Sequence, residues 1–283
     1  MITVNSISGG KTSAYVAANY KADYNVFSLV RTNDKKCLFP DAKLRQQVSD
    51  RLGGVEFIGT LEEDIIIYTM FDLEQFIGQK IDWVTGRTFD EIIIRPNGCK
   101  YLPNVTQRFC TSEMKLQPLF DWWSINFKEP VEMRIGYRAN EQRRAFKMGE
   151  RLNAEGILTH RKIVGKSKTQ NKWADIPWQI PIFPLIEDNI FKDNIEEYWK
   201  DKPVQFAYMN NCVGCFHRNE MLLKLMSEKF PNKFDWFVRQ EQSGHESRTF
   251  KNGITYDKIR KTKLQMTLDF NDFTECDSGY CGI

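Results

Sequence analysis

The stretch Ser8-Gly9-Gly10-Lys11-Thr12-Ser13 sets three hydroxyls, two glycines and a lysine between a run of β-formers, Ile2 to Ile7, and a helix-spaced stretch, Thr12 to Tyr20. Adjacent glycines open backbone conformations closed to other residues and let main-chain N–H groups approach a ligand with no Cβ in the way. The helix behind them offers its unpaired N–H groups and the positive end of its dipole to the same spot. Lys11 adds a point charge suited to phosphate. The combination reads as an anion-binding turn, with a plain tight turn between strand and helix as the alternative. It has neither the Walker A spacing nor the G-x-G-x-x-G of dinucleotide folds.

Sulfur carries a second chemistry. Cys212-x-x-Cys215 is followed by His217, and Cys276 and Cys281 stand near the end of the chain. Two thiolates at C-x-x-C spacing can chelate one ion from a tight turn, and two more complete a tetrahedral set for zinc or an iron–sulfur cluster. The expected metal ligands are therefore Cys212, Cys215, Cys276 and Cys281, with unrelated buried thiols as the alternative. The chain has seven cysteines and no signal-peptide pattern. That combination is expected of a reduced, cytoplasmic protein rather than a disulfide scaffold. Cys37 has no evident partner, and Cys99 has only Cys110 nearby in sequence.

These groups need a scaffold, and the surrounding pattern supplies one. Strands are predicted over Ile2 to Ile7, Asn25 to Thr32, Val55 to Gly59 and Val131 to Tyr137. Helices are predicted over Thr12 to Tyr20, Asp41 to Leu52, Pro118 to Trp123, Asn189 to Trp199 and Leu222 to Phe230. Strands alternating with helices at this spacing imply right-handed βαβ units and a parallel sheet. The Pro-rich stretch Ile176 to Pro184 is expected to interrupt regular structure. The fold class is α/β: a Rossmann-like three-layer α/β/α sandwich with a mostly parallel sheet over residues 1–205, followed by a helical, Cys-bearing appendage over 206–283.

Hydrophobic residues at 41% and charged residues at 27% place the chain among globular rather than disordered proteins. The longest apolar runs, Ile65-Ile66-Ile67 and Ile92-Ile93-Ile94, are far short of the roughly 20 residues of a spanning helix, so no membrane partner is expected. The formal charge of +3 is uneven. From Arg134 to Lys172, 11 Lys or Arg stand against three acids, a local balance of +8. A second basic group comprises Arg248, Lys251, Lys258, Arg260, Lys261 and Lys263. Such runs are either a solvated face or a surface for a polyanion such as tRNA or DNA. His160 and His245 read as surface groups, and Trp122-Trp123 as core packing.

Taken in order along the chain, four stretches resemble the phosphoadenosine phosphosulfate (PAPS) reductase branch of the PP-loop, N-type ATP pyrophosphatase superfamily. "SGGKTS" is similar to its S-G-G-x-D-S pyrophosphate loop, and "RTNDKKCLFP" to the segment carrying its N-T-G-type turn. "QRFCTSEMKLQPL" is similar to R-x-C-t-x-x-x-K-x-x-P, matching Arg108, Cys110, Lys115 and Pro118. "RIGYRANEQRRA" is similar to G-x-R-x-x-E-x-x-R, matching Gly136, Arg138, Glu141 and Arg144, with Arg143 an alternative.

The resemblance implies an adenine nucleotide α-hydrolase-like fold. It implies that Ser8, Gly9, Gly10, Lys11, Thr12, Ser13, Asn33, Arg108, Arg138, Glu141 and Arg144 bind an adenine nucleotide, either ATP or the sulfonucleotides PAPS and APS. Lys11, Lys115, Arg138 and Cys276 would act in the chemistry, which is adenylation with pyrophosphate release or sulfonucleotide reduction. Magnesium would accompany ATP, although Thr12 stands where ATP-cleaving members carry Asp, leaving Asp34 and Asp41 as substitutes. Glu275-Cys276 begins like the branch's E-C-G-x-H thiol motif and then departs from it at Asp277. In cluster-bearing members the cysteines matching Cys110, Cys212 and Cys215 belong to one site, with Thr111 breaking that pattern. A homodimer is a further expected assembly. The second reading is a nucleic-acid-associated module that binds or modifies tRNA or DNA on the basic face.

Overall fold

The computed structural model describes residues 1–167, 170–243 and 248–263. The first half runs β1 (Thr3–Ile7), α1 (Lys11–Asn19), β2 (Tyr24–Ser28), α2 (Ala42–Arg51), α3 (Ile65–Ile77), β3 (Ile81–Val84) and α4 (Phe89–Ile92). Then come α5 (Phe109–Thr111), which continues as a π-helical turn over Ser112–Leu116, α6 (Gln117–Asn126) and β4 (Val131–Arg134). The rest is α7 (Gln142–Gly149), β5 (Leu158–Ser167), β6 (Gln170–Ile182), α8 (Pro184–Glu187), α9 (Lys192–Trp199), α10 (Glu220–Lys229), α11 (Pro231–Gln242) and α12 (Tyr256–Lys261).

The six strands form one sheet in the order β3-β2-β1-β4-β6-β5, parallel except for β5, which pairs antiparallel with β6. Side chains alternate across each strand, and both faces are apolar. Ile7 and Phe27 meet Ala14 and Ala17 of α1, Met70 of α3 and Trp199 of α9. On the opposite face, Val4 and Val26 meet Leu119, Phe120 and Trp123 of α6. Helices therefore cover both sides of a mostly parallel sheet, the Rossmann-like α/β arrangement. Among the described residues, no helix is long and apolar enough to cross a membrane.

Two expectations need correction. Val55 to Gly59 is not a strand. Gly59 makes only an isolated bridge to Thr32, because at this point the chain runs back under Phe39, whose N–H donates to Ile58 O at 2.9 Å. The third strand is Ile81–Val84, whose Trp83 packs on Phe27 with ring centres 5.1 Å apart. Nor does the Pro-rich stretch break the sheet: β6 passes through Pro177 and Pro181. Pro177 sits opposite Thr159 at a bulge, and Pro181 lies beyond the last residue paired with β5, so neither missing N–H costs a ladder bond there.

The segment after residue 206 is helical and shares a core with the first half. Leu223, Met226, Trp236 and Phe237 pack with Val30, Leu61, Phe89 and Met114. Trp236 and Tyr256 are fully buried, and burying an aromatic side chain of this size contributes roughly 2–3 kcal/mol. The Tyr256 hydroxyl donates to Gly214 O at 3.0 Å, which ties α12 to the C-x-x-C turn.

Candidate anion crevice and thiol pocket

The crossover direction reverses at β1, with β2 on one side and β4 on the other. In open α/β sheets the crevice outside the carboxyl ends of such strands is where ligands sit. Here it is made by the turn from β1 to α1 and by the loop after β4. Gly9 is required by its backbone conformation, and Gly10 lies close against Asn210. Gly9 has φ +83°, and a Cβ there would meet Ile66 Cγ2 at 2.7 Å. At Gly10 a Cβ would stand 2.4 Å from Asn210 Nδ2. Gly10 is the N-cap of α1 and gives it no side-chain cap, so the first-turn N–H groups carry no such bond. Ser13 is buried and closes the turn on itself, with its Oγ accepting from Ser8 N–H and donating to Gly10 O, each at 3.1 Å. Ser8 is exposed and Thr12 half-buried.

The loop after β4 lies directly behind this turn, since a Cβ on Gly136 would be 3.3 Å from Thr12 Cγ2. Arg138 and Arg144 converge there on Glu141. Glu141 Oε2 accepts from Arg138 N–H at 2.9 Å and from Arg138 Nε at 3.1 Å, while Oε1 accepts from Arg144 at 2.6 Å. Burial raises the Glu141 carboxyl, but the Arg138 N–H and the two guanidinium charges outweigh it and hold the group below the usual carboxylate range. Arg144 also lies over the Tyr137 ring at 4.1 Å. Glu141 is thus the strut that spaces two guanidinium groups, while Arg143 is exposed.

Lys11 turns toward α9 and pairs with Glu196, while its carbonyl accepts from Trp199 Nε1 at 3.0 Å. A cleft of about 800 Å³ opens beside it, bordered by Lys11 and Asn210 and walled by Lys192, Trp199, Phe206 and Tyr208. That volume suits a small-molecule ligand. Glu196 therefore competes with any anion for Lys11. Glu196→Gln is expected to tighten binding of inorganic pyrophosphate, used as a probe anion, about two- to fivefold, the worth of a half-exposed ion pair. A calorimetric titration that gives the wild-type affinity would mean that Lys11 does not reach the anion.

A second, smaller site is built from "QRFCTSEMK" and "NNCVGCFHR". Arg108, Cys110, Lys115, Cys212, Cys215 and His217 line a cavity of about 50 Å³, room for a water or an ion and not for a nucleotide. Lys115 Nζ contacts the fully buried Glu62 at 3.1 Å. Burial, with Cys215 nearby, pushes the Cys110 thiol up to about 11. Burial and the Glu62 charge push Cys212 well up, and burial together with the Arg108 and Lys251 charges pushes His217 down to about 4. Cys110, Cys212 and His217 are therefore held in their neutral forms. Among the described residues, no group of three or more His, Cys, Asp or Glu side chains is placed to hold a metal ion. Cys276, Cys281 and His245 lie outside the described residues.

The structure thus divides the expected site residues among three places. Gly136 of the loop after β4 lies against the turn, Arg138, Glu141 and Arg144 form a cluster of their own in and after that loop, and Arg108 and Lys115 belong to the thiol pocket. Asn33 is exposed in the loop after β2, with its N–H on Asp90 at 2.7 Å and its amide on Thr88 at 3.3 Å. Asp34 and Asp41 are spent as caps, on Lys36 N–H at 2.9 Å and Leu44 N–H at 3.0 Å, and Asp34 also pairs with Arg239. Cys37, Cys99 and Cys110 are free thiols. His160 is not a surface group: it stacks on Phe120 with ring centres 4.2 Å apart and meets Gln117 at 3.0 Å. Trp123 is core, as expected.

Sequence reasoning passed over the residues that join the two sites. Glu63 accepts from Tyr208 and Met209 N–H at 3.0 and 2.6 Å, which brings Asn210 against Gly10. The buried Arg218 donates to the carbonyls of Asn210, Cys212 and Val213 at 2.6, 2.5 and 2.8 Å. An arginine or glutamate in a polar stretch carries no local signal of such a role. Comparison with family models, characterised proteins and solved structures returns no match for this chain.

Proposed function

We propose that the chain is a PAPS-reductase-like enzyme with the adenine nucleotide α-hydrolase-like fold, binding an adenine nucleotide at the turn from β1 to α1. The observation that carries this reading is the Gly9-Gly10 turn at the strand-order reversal, with uncapped α1 N–H groups and Gly136 packed behind it. First-turn N–H groups would take anionic phosphate oxygens, Arg138 and Arg144 would balance charge at the mouth, and the cleft beside Lys11 would seat the remainder of the ligand.

With ATP, the chemistry is attack of an acceptor on the α-phosphate and release of pyrophosphate. With an adenylyl sulfonucleotide it is reduction by a thiol. Reduction needs a thiolate; Cys276, the thiol that the resemblance assigns to it, lies outside the described residues. A protein-held magnesium does not fit the donors at the turn, since Thr12 is not a carboxylate and Asp34 and Asp41 are engaged as caps. The phosphate charge then falls to N–H groups and basic side chains. Zinc or an iron–sulfur cluster would need Cys212 and Cys215 together with Cys276 and Cys281, the latter two lying outside the described residues; among the described residues no three such donors are grouped to hold one.

The test is a calorimetric titration of the full chain with ATP–Mg and with PAPS. Arg138→Ala and Gly10→Ala should each lose about tenfold or more in affinity for the preferred nucleotide, the cost of a charge-assisted contact or of the displaced turn. No binding of either nucleotide by the wild type, or unchanged affinity in Arg138→Ala, overturns the reading.

A further inference from the structure

Beyond residue 178, read back toward its start, β6 has no partner except β5. Its pairing with β4 covers Gln179 to Ile182, whereas Gln170 to Pro177 pairs only with Ser167 to Thr159. The two strands therefore leave the sheet as a free antiparallel ribbon, roughly 30 Å long at the usual rise per residue. Near its root, His160 and Ile176 lie on α6. Farther out, both faces are exposed, with Arg161, Lys162, Lys166 and Lys172 set against the single acid Asp175. Among the described residues, none of these four cations is in an ion pair; Arg161 lies over Trp173 and Lys162 over Phe120. The second basic group is different, since Arg260 pairs with Asp235 and Asp257, and Lys261 with Asp257.

We infer that this ribbon is a DNA-binding arm that enters the major groove of duplex DNA. The B-form major groove, about 12 Å wide, admits a two-stranded ribbon, and its base edges are read by Arg, Lys, Asn and Gln. Gln170 and Asn171 supply such readers near the tip, with Lys166 and Lys172 beside them to neutralise phosphates. At the root, α7 packs through Met148 against Leu158 and exposes Arg143 and Lys147, placed to meet backbone phosphates.

Other occupants fit less well. The deep, narrow major groove of A-form RNA excludes a ribbon. Single strands need several open aromatic faces, and the outer ribbon offers one, Trp173, with Arg161 over one side of it. Edge pairing with a second copy is opposed by the lysines along the ribbon. The inference stands apart from the nucleotide reading and survives its failure.

The test is fluorescence anisotropy with labelled duplex DNA, single-stranded DNA and duplex RNA across a salt series, on the full chain. The tightest binding should be to duplex DNA. The double variant Lys166→Glu with Lys172→Glu should weaken it at least tenfold and lower the salt slope by about 2, the number of phosphate-neutralising groups removed. Lys80→Glu with Lys200→Glu, which changes the net charge equally at exposed positions elsewhere, should retain wild-type affinity. Equal loss in both double variants, tighter binding to single strands or RNA, or no binding at low salt would each overturn the inference. Melting temperatures equal to wild type establish that the variants are folded.

Discussion

Arg218→Met will lower the unfolding free energy by about 3–5 kcal/mol and collapse the loop that carries the C-x-x-C pair. Arg218 is only 3% exposed, and its guanidinium is the common partner of the Asn210, Cys212 and Val213 carbonyls, with those of Met209 and Asn211 each at 3.4 Å. Methionine fills much of the same volume and donates nothing, so the cost is that of inward-facing carbonyls left without a donor, about 1–3 kcal/mol for each one fully buried. Asn211 adds to the dependence, because its φ of 77° is a left-handed conformation that the cation helps to hold. Lysine is not an adequate substitute: a compact ammonium cannot match a planar fork that reaches both sides of the loop. Urea denaturation monitored by tryptophan fluorescence reads the change, and a midpoint within error of wild type would show that the loop holds itself. Because Asn210 touches Gly10, the same variant should also weaken whatever binds at the turn from β1 to α1.

Arg218 also marks where the sequence stops being legible. The turn from β1 to α1 could be read because its conformation is local: a strand, two glycines and a helix are adjacent in the chain, and the conformation they need is written in those residues. The loop after β4 was legible for the same reason, as "RIGYRANE" holds Arg138 and Glu141 three residues apart, and the structure pairs them. The joining of distant segments was not. Nothing in Glu63, Asn210 or Arg218 announces that a carboxylate, an amide and a guanidinium from two ends of the chain will position one another, since each interaction is set by tertiary packing. The third strand was missed through competition between local signals. Val55 to Gly59 has the β-formers but spends its hydrogen bonds on Thr32 and Phe39, while Ile81–Val84, with an acid in the middle, gains its place by pairing with β2. The prolines of β6 illustrate the reverse. Their rule is sound, and it was satisfied by placing one at a bulge and one past the end of β5.

Glu241 gives the second large effect, and it depends on pH. The carboxyl accepts Phe250 N–H through one oxygen at 3.0 Å and Tyr256 N–H through the other at 2.6 Å. Burial pushes it up to about 7 despite those two bonds, with Asp257 adding to the rise. An acid whose value is higher in the folded than in the unfolded chain binds its proton more tightly when folded. Its contribution to stability is therefore fully present below about 4.5 and is lost as pH rises through about 7. After allowance for solvent screening, the loss is about 2 kcal/mol. Glu241→Gln cannot ionise and so removes this dependence, but glutamine has one acceptor oxygen where glutamate has two, leaving one N–H weakly served at a cost of about 1 kcal/mol. The two stability curves should cross. The variant is expected to be the weaker protein at pH 5 and the stronger at pH 8, and denaturant midpoints measured across that range give the sign directly. A difference between variant and wild type that stays constant with pH would mean that the carboxyl is ionised throughout and that the hinge between α11 and α12 is closed by its two hydrogen bonds alone.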